Sequence, residues 1–225
     1  MIRNILFDLD ETLYNDQDVK AQADVDVLSY FSDNIDGISL TEHYQLYKDS
    51  DKELVFDWFI NFLSNFTNKD SEIKEHAENA ESIYWKSLSN IKLYPDALVF
   101  LNAVSGKFEL GILSDGSRNK QLKKLDFLGL ESFFNSENLV FSEDVGEKKP
   151  SKLMFDKIIE KMNLNPAETL YIGDRVDRDI VGGNQAGFVT VLLRRNRSFN
   201  VSIINEEEKP TYEITNFFDL LRIIE

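Results

Sequence analysis

The sequence of 225 residues contains no cysteine. That removes disulfides, zinc-thiolate sites, iron-sulfur clusters and thiol nucleophiles together, and it is compatible with a reducing compartment. Histidine is nearly as scarce. The two present, His43 and His76, fall in one helical segment, so a Ser-His-Asp triad or a Cys-His pair is excluded for the rest of the chain. No apolar run approaches the roughly 18 residues of a membrane span. The opening MIRNILFDLD gains carboxylates too early for a signal peptide, which makes the cytoplasm the expected location. Basic residues are short as well: 25 Lys and Arg face 40 Asp and Glu, a net charge of -15. Broad binding to nucleic acid or anionic lipid relies on neutralising phosphates, so neither partner is expected. A small anionic ligand needs only a local positive site. With 42% hydrophobic and 29% charged residues the chain has a globular composition. Its length suits one domain carrying an insertion, or two small ones.

Ile2 to Leu9 reads as a buried strand running into Asp8-Leu9-Asp10. From about Asp16 to Ser89 apolar residues instead recur at helical spacing, as in Leu54, Val55, Trp58, Phe59, Phe62 and Leu63. This segment has no proline and one glycine, and it predicts a bundle of three or four helices. Residues 14–93 hold 16 acids and 7 lysines, net -9, and no arginine. After Leu93-Tyr94-Pro95 short apolar runs alternate with amphipathic stretches. Strands are expected at Phe108 to Leu113, Leu139 to Phe141, Thr169 to Ile172 and Val189 to Leu193. Helices are expected near Asp96 to Val104, Lys120 to Leu128, Lys152 to Met162, Asp177 to Ala186 and Phe217 to Ile224. Glu206 to Glu208 is expected to be a solvated loop. Such alternation predicts an α/β fold, a doubly wound parallel sheet whose ligand sits at the carboxyl ends of the strands.

Four apolar runs lead into polar sequence: Asp8-Leu9-Asp10-Glu11-Thr12, Ser114-Asp115-Gly116, Glu147-Lys148-Lys149-Pro150, and Gly173-Asp174 followed by Asp179. Strand ends at one edge of a parallel sheet converge, which brings these segments toward a single pocket. Without histidine or cysteine the pocket is carboxylate-rich, with a lysine and a hydroxyl. Clustered carboxylates are stable at neutral pH around a hard divalent cation such as Mg²⁺, which in turn recruits phosphate. A carboxylate is also a nucleophile toward phosphorus. Asp8 and Asp10, two apart in extended chain, present their side chains on the same side, so one can attack while the other handles the leaving-group proton.

These four motifs, in this order, resemble those of the haloacid dehalogenase superfamily of hydrolases, phosphatase branch, and the resemblance spans the whole chain. It implies a Rossmann-like catalytic core, residues 1–13 and 94–225, with the first strand central. It also implies an inserted all-helical cap of the C1 type, residues 14–93, that closes over the site. By this resemblance Asp8 is the nucleophile, and Asp10 is the general acid and then the base that activates water. Asp8, the Asp10 backbone carbonyl and Asp174 hold Mg²⁺, and Asp179 orients the metal waters. Ser114 and the backbone amides of the following turn, Asp115 and Gly116, bind phosphoryl oxygens at the start of a helix. Lys149 offsets the charge that develops on the phosphoryl group and on Asp8. Haloalkanoate dehalogenases lack the second aspartate of the first motif, so its presence favours phosphoryl transfer. The implied substrate is a small phosphorylated metabolite, and the implied assembly a monomer or homodimer. A phosphomutase of the same superfamily and a catalytically silent scaffold are the alternatives.

Some positions depart from the family pattern. Glu11 stands where many members carry glycine, and a solvent-facing side chain is expected. Asp115 replaces a common asparagine at a position expected to act through its backbone. Of Lys148 and Lys149, the residue directly before proline fits the motif. Arg175 is expected to pair with Asp177 or Asp179. An arginine-free, acidic cap is poorly suited to gripping a second anionic group, which points to an uncharged leaving group such as a nucleoside or sugar. Most cap aromatics (Tyr30, Phe31, Tyr44, Tyr47, Phe56, Trp58, Phe59, Phe62, Tyr84, Trp85) are expected to pack in the bundle, leaving Tyr44, Tyr47 or Tyr14 as candidates to stack on substrate. His43 and His76 are expected to be exposed helix residues.

Overall fold

The computed structural model describes residues 1–48, 55–195 and 203–224, and the side chains of residues 16 and 45–48 lie outside that description. Leu54 and the side chain of Tyr47 are therefore outside the described residues. The chain divides into two compact units, residues 1–15 with 92–225, and residues 16–91.

The larger unit is built on six parallel strands: β1 (Asn4–Phe7), β2 (Glu109–Ser114), β3 (Leu139–Phe141), β4 (Thr169–Gly173), β5 (Val189–Leu193) and β6 (Tyr212–Ile214). Their order is β3-β2-β1-β4-β5-β6. The connections run outward from β1 to one side and then from β4 to the other. The order thus reverses between β1 and β4, and such a reversal opens a crevice beyond the carboxyl ends of the two strands. The α/β reading of the sequence is correct, including a central first strand.

Alternation along β1 fixes the two faces of the sheet. Leu6 packs with Met154, Phe155 and Ile158 of a helix at Lys152–Met162, together with Tyr171 and Phe188. Phe7, its neighbour, meets Phe100 of the helix Pro95–Val104 and Phe217 of the helix Phe217–Ile224 on the opposite side. Helices therefore cover both faces, and β1 is buried on each.

Three local expectations change. Strand β6 was not anticipated, because its Tyr212 and Glu213 are exposed and only Ile214 is buried. The helix expected at Asp177 to Ala186 begins instead as a wide turn, Val176–Ile180, and becomes a regular helix only over Val181–Ala186. Glu206–Glu208 forms a turn of 3-10 helix, capped by the Asn205 side chain.

The smaller unit contains helices Asp16–Asn34, Leu40–Lys48, Val55–Leu63 and Asp70–Leu88. Its aromatic residues pack on one another, with Phe62 stacked on Trp58 and on Phe31, and with Phe31, Phe59 and Tyr84 fully buried. The two histidines are half-buried and bonded rather than simply exposed. His43 Nδ1 lies 3.1 Å from the Ser39 carbonyl, and His76 Nδ1 lies 2.9 Å from the Tyr30 hydroxyl. No helix among the described residues is long and apolar enough to cross a membrane.

Candidate active site

Asp8 directly follows β1, and its amide donates to the Ile172 carbonyl of β4 at 2.8 Å, which continues the parallel ladder to the edge of the crevice. The chain then turns tightly. The Leu13 amide reaches back to the Leu9 carbonyl at 3.0 Å, and Glu11 takes a left-handed backbone with φ 60°. That conformation is unfavourable for a residue bearing Cβ, and it accounts physically for glycine at this position. Glu11 is half-buried and lines the cleft rather than facing solvent as expected. Inside the turn Thr12 is fully buried and donates from Oγ1 to Asp8 Oδ2 at 3.3 Å.

Lys149 sits at the centre of the site. Its Nζ lies 2.6 Å from Asp8 Oδ1 and 2.7 Å from Asp179 Oδ1, with all three side chains buried. Burial opposes the ammonium charge, but Asp179 and Asp8 raise its pKa well above the ordinary lysine value. Tyr171, buried in β4, donates from its hydroxyl to Asp179 Oδ1 at 2.8 Å and lies 3.3 Å from Lys149 Nζ. A buried tyrosine needs such a partner for its hydroxyl.

Asp179 reaches the cluster through the wide turn after β4. Its amide donates to the Arg175 carbonyl at 2.8 Å, while its Oδ2 accepts the Arg175 amide at 3.0 Å. Wide turns of this kind recur at functional sites. The side chain folds back over Gly173, where a Cβ would overlap Asp179 Cγ, so only glycine fits there. Arg175 pairs with Asp177 at 2.8 Å, one of the two partners expected.

Carboxylate oxygens of Asp8, Asp174 and Asp179 lie within 4.8 Å of one another, all buried. Burial, followed by the like charge of Asp179, pushes Asp8 up to about 7, against the opposing pull of Lys149. Burial and the charges of Asp179 and Asp8 push Asp174 up to about 8. With all three ionised, these carboxylates outweigh the one ammonium at their centre by two charges. A set of hard oxygen donors carrying that excess fits a divalent cation of the Mg²⁺ type.

Asp10 is in the opposite state. Burial would raise its pKa, but Lys124, Tyr14 and Gln121 overcome this and hold it down at about 2. Tyr14 is fully buried and donates its hydroxyl to Asp10 Oδ1, so it serves the first motif rather than standing ready to stack on a ligand.

The loop after β2 also differs from expectation. The Gly116 amide donates to Ser142 Oγ at 2.8 Å, and the Arg118 amide, at the start of the next helix, donates to Glu143 Oε2 at 2.8 Å. Both amides are thus bonded to the neighbouring segment Ser142–Val145. Asp115 acts through its side chain: Oδ1 accepts the Lys149 amide at 2.9 Å, and Oδ2 pairs with Arg178 at 3.2 Å. Its carboxylate therefore ties the loop after β2 to the loop that carries Lys149. Ser114 Oγ accepts from Gln121 Nε2 at 3.1 Å. The result is a cleft of about 150 Å³ whose walls include Asp8, Asp10, Ser114, Lys149, Asp174 and Arg178.

The fold and this cleft define a Rossmann-like α/β protein with an aspartate-based site at its topological switch point. A model of the family described as haloacid dehalogenase-like hydrolase matches residues 5–193. A glyceraldehyde 3-phosphate phosphatase of Methanopyrus kandleri is 30% identical over 231 residues, covering 100% of this chain and 97% of that one. Over 131 residues, 58% of this chain and 56% of the other, the pyrimidine 5'-nucleotidase YjjG of Escherichia coli is 32% identical. The magnesium-bound structure of the HAD-hydrolase YfnB from Bacillus subtilis aligns with TM-score 0.68 at 26% identity, covering 100% of this chain and 99% of that one. The chain belongs to the haloacid dehalogenase-like hydrolase family, in its phosphatase branch.

Proposed function

We propose that the protein is a Mg²⁺-dependent phosphomonoester hydrolase that works through an aspartyl-phosphate on Asp8. Its substrate is a small phosphorylated metabolite whose leaving group is uncharged, such as a sugar or nucleoside. The observation that carries this reading is the buried cluster of Asp8, Asp174 and Asp179 around Lys149, at the carboxyl ends of β1 and β4.

Asp8, the Asp10 carbonyl and Asp174 would hold the cation, with Asp179 behind them. When bound, it neutralises the carboxylates and withdraws charge from the phosphoryl oxygens. Ser114 and Lys149 hold the phosphoryl group, while Thr12 bonds one oxygen of Asp8 and Lys149 the other. In the first step an Asp8 oxygen bonds to phosphorus, the ester P–O bond breaks, and Asp10 gives its proton to the departing alkoxide. Asp10 is ionised as it stands, and a phosphoryl group placed beside it favours the proton it must then carry. In the second step Asp10 takes a proton from water as the water oxygen bonds to phosphorus. The bond from Asp8 to phosphorus breaks, which releases inorganic phosphate and restores Asp8.

The substrate class rests on the arginine-free segment 14–93 and on relatives named for glyceraldehyde 3-phosphate and for pyrimidine nucleotides, whose leaving groups carry no charge. Hydrolysis of para-nitrophenyl phosphate that requires Mg²⁺, stops with EDTA and disappears in Asp8→Asn is expected, and full activity in Asp8→Asn refutes the mechanism. A phosphomonoester screen that strongly prefers phosphoglycolate or a bisphosphate over sugar and nucleoside monophosphates refutes the substrate class.

A further inference from the structure

Asp10 is gripped from the helix Arg118–Phe127. Lys124 Nζ lies 2.7 Å from Oδ1 and 2.8 Å from Oδ2, a two-point contact with the carboxylate. Gln121, one turn earlier on the same face, donates Nε2 to Asp10 Oδ2 at 3.3 Å and to Ser114 Oγ at 3.1 Å. One helix thus ties the proton-transfer residue to the hydroxyl proposed to hold phosphate.

The position of Lys124 is costly for a structural lysine. Its side chain is 3% exposed and lies on the buried face with Gln121, Leu125 and Leu128. An apolar residue at such a position generally stabilises a fold as well as a buried ion pair or better, so stability alone does not call for an ammonium there. What the ammonium achieves is to fix the rotamer of Asp10, which has a fully buried leucine before it and the strained Glu11 after it.

We propose that Lys124 is a positioning residue for phosphoryl transfer, holding the Asp10 carboxylate in place and acting on the reaction only through Asp10. This rests on the reading of Asp10 as the proton-transfer group. The test is a double-mutant cycle of Lys124→Met and Asp10→Asn, with para-nitrophenyl phosphate as substrate, at saturating Mg²⁺. Lys124→Met is expected to lower kcat about 10- to 100-fold, part of the general acid-base contribution, while KM changes less than about threefold. In the Asp10→Asn background the same substitution is expected to cost less than about threefold more. The folded fraction of every variant is read from its thermal unfolding curve. If Lys124→Met does not fold, Lys124→Gln completes the cycle, and Lys124→Arg, which keeps the charge, is expected to retain more activity than Lys124→Gln. Wild-type kcat in folded Lys124→Met, or penalties that multiply in the double variant, overturns the proposal while leaving the role of Asp10 intact. Wild-type activity in Asp10→Asn overturns the role of Asp10 and the proposal with it.

Discussion

Replacing Lys149 with methionine isolates the electrostatic core of the site. Methionine approximates the length of the side chain and removes its charge, leaving Asp8 and Asp179 buried without the ammonium 2.6 and 2.7 Å away. Removing one partner of a buried pair costs about 3–5 kcal/mol. Here one ammonium serves two carboxylates, so the upper part of that range is expected, a large share of a typical total stability of about 5–15 kcal/mol. The pH dependence follows from Asp8. Its folded pKa, about 7, lies above the ordinary value of 3.8, so its stabilising contribution is full below 3.8 and lost as pH rises through about 7. Without Lys149 that pKa rises further. The variant therefore goes on losing stability above pH 7, by up to about 1.4 kcal/mol per pH unit, where the Asp8 contribution in the parent protein has levelled off. Urea unfolding followed by circular dichroism in EDTA is expected to give a gap between the two proteins that is wider at about pH 9 than at about pH 6. A gap below about 1 kcal/mol at pH 9, or one that widens toward acid, refutes this account of the cluster.

Three further outcomes follow from the same geometry. Asp8 and Asp174, raised to about 7 and about 8, hold protons that a cation must displace, so Mg²⁺ affinity is expected to climb between about pH 6 and pH 9. Calorimetry in buffers of different ionisation enthalpy checks this, and binding at about pH 7 without proton release contradicts it. Gly173→Ala forces a methyl group into the Asp179 side chain, and a loss of about 1–3 kcal/mol together with weakened Mg²⁺ binding is expected from unfolding and titration. Glu11→Gly relieves a left-handed backbone at φ 60° and is expected to stabilise the protein by about 1 kcal/mol, read as a higher melting temperature. A lower melting temperature would mean that the contacts of the Glu11 side chain outweigh its backbone strain.

Strands β1 to β5 were legible because they are short, mostly buried apolar runs, and β1, β2, β4 and β5 lead directly into a charged residue: Asp8, Asp115, Asp174 and Arg194. Three of the four segments that meet in the cleft were legible for the same reason, since Asp8, Ser114 and Asp174 close or directly follow such runs; Lys149 lies beyond the helix Ser142–Val145 and was marked by the proline after it. The supporting residues were hidden. Lys124 is 114 positions from Asp10 and looks like one more lysine of an amphipathic helix. Tyr171 looks like any aromatic residue of a buried strand. The chain also gave no sign that Ser142 and Glu143 would take the amides of Gly116 and Arg118, because Ser142–Val145 is a helix of a single turn, too short to show a period. Thr12 was visible within its motif, but its bond to Asp8 depends on the left-handed turn at Glu11, which sequence spacing does not reveal.

Asp8 and Asp10 belong to one motif, yet their environments push them apart, to about 7 and about 2. On the proposed mechanism this assigns the roles backwards at face value, with the higher value on the group that would attack as an anion. The neighbours of each group resolve the conflict. Asp8 is raised by burial and by other carboxylates, which are what a divalent cation neutralises, so a loaded site lowers it toward the ionised state a nucleophile needs. Asp10 is lowered by an ammonium and two neutral donors, and a phosphoryl dianion beside it pulls the other way and favours protonation. On the proposed mechanism cation and substrate drive the two values toward each other, the direction that the acid-base order of phosphoryl transfer requires. This follows the general rule that paired carboxylates take their roles from environment, with the environment completed here by what binds.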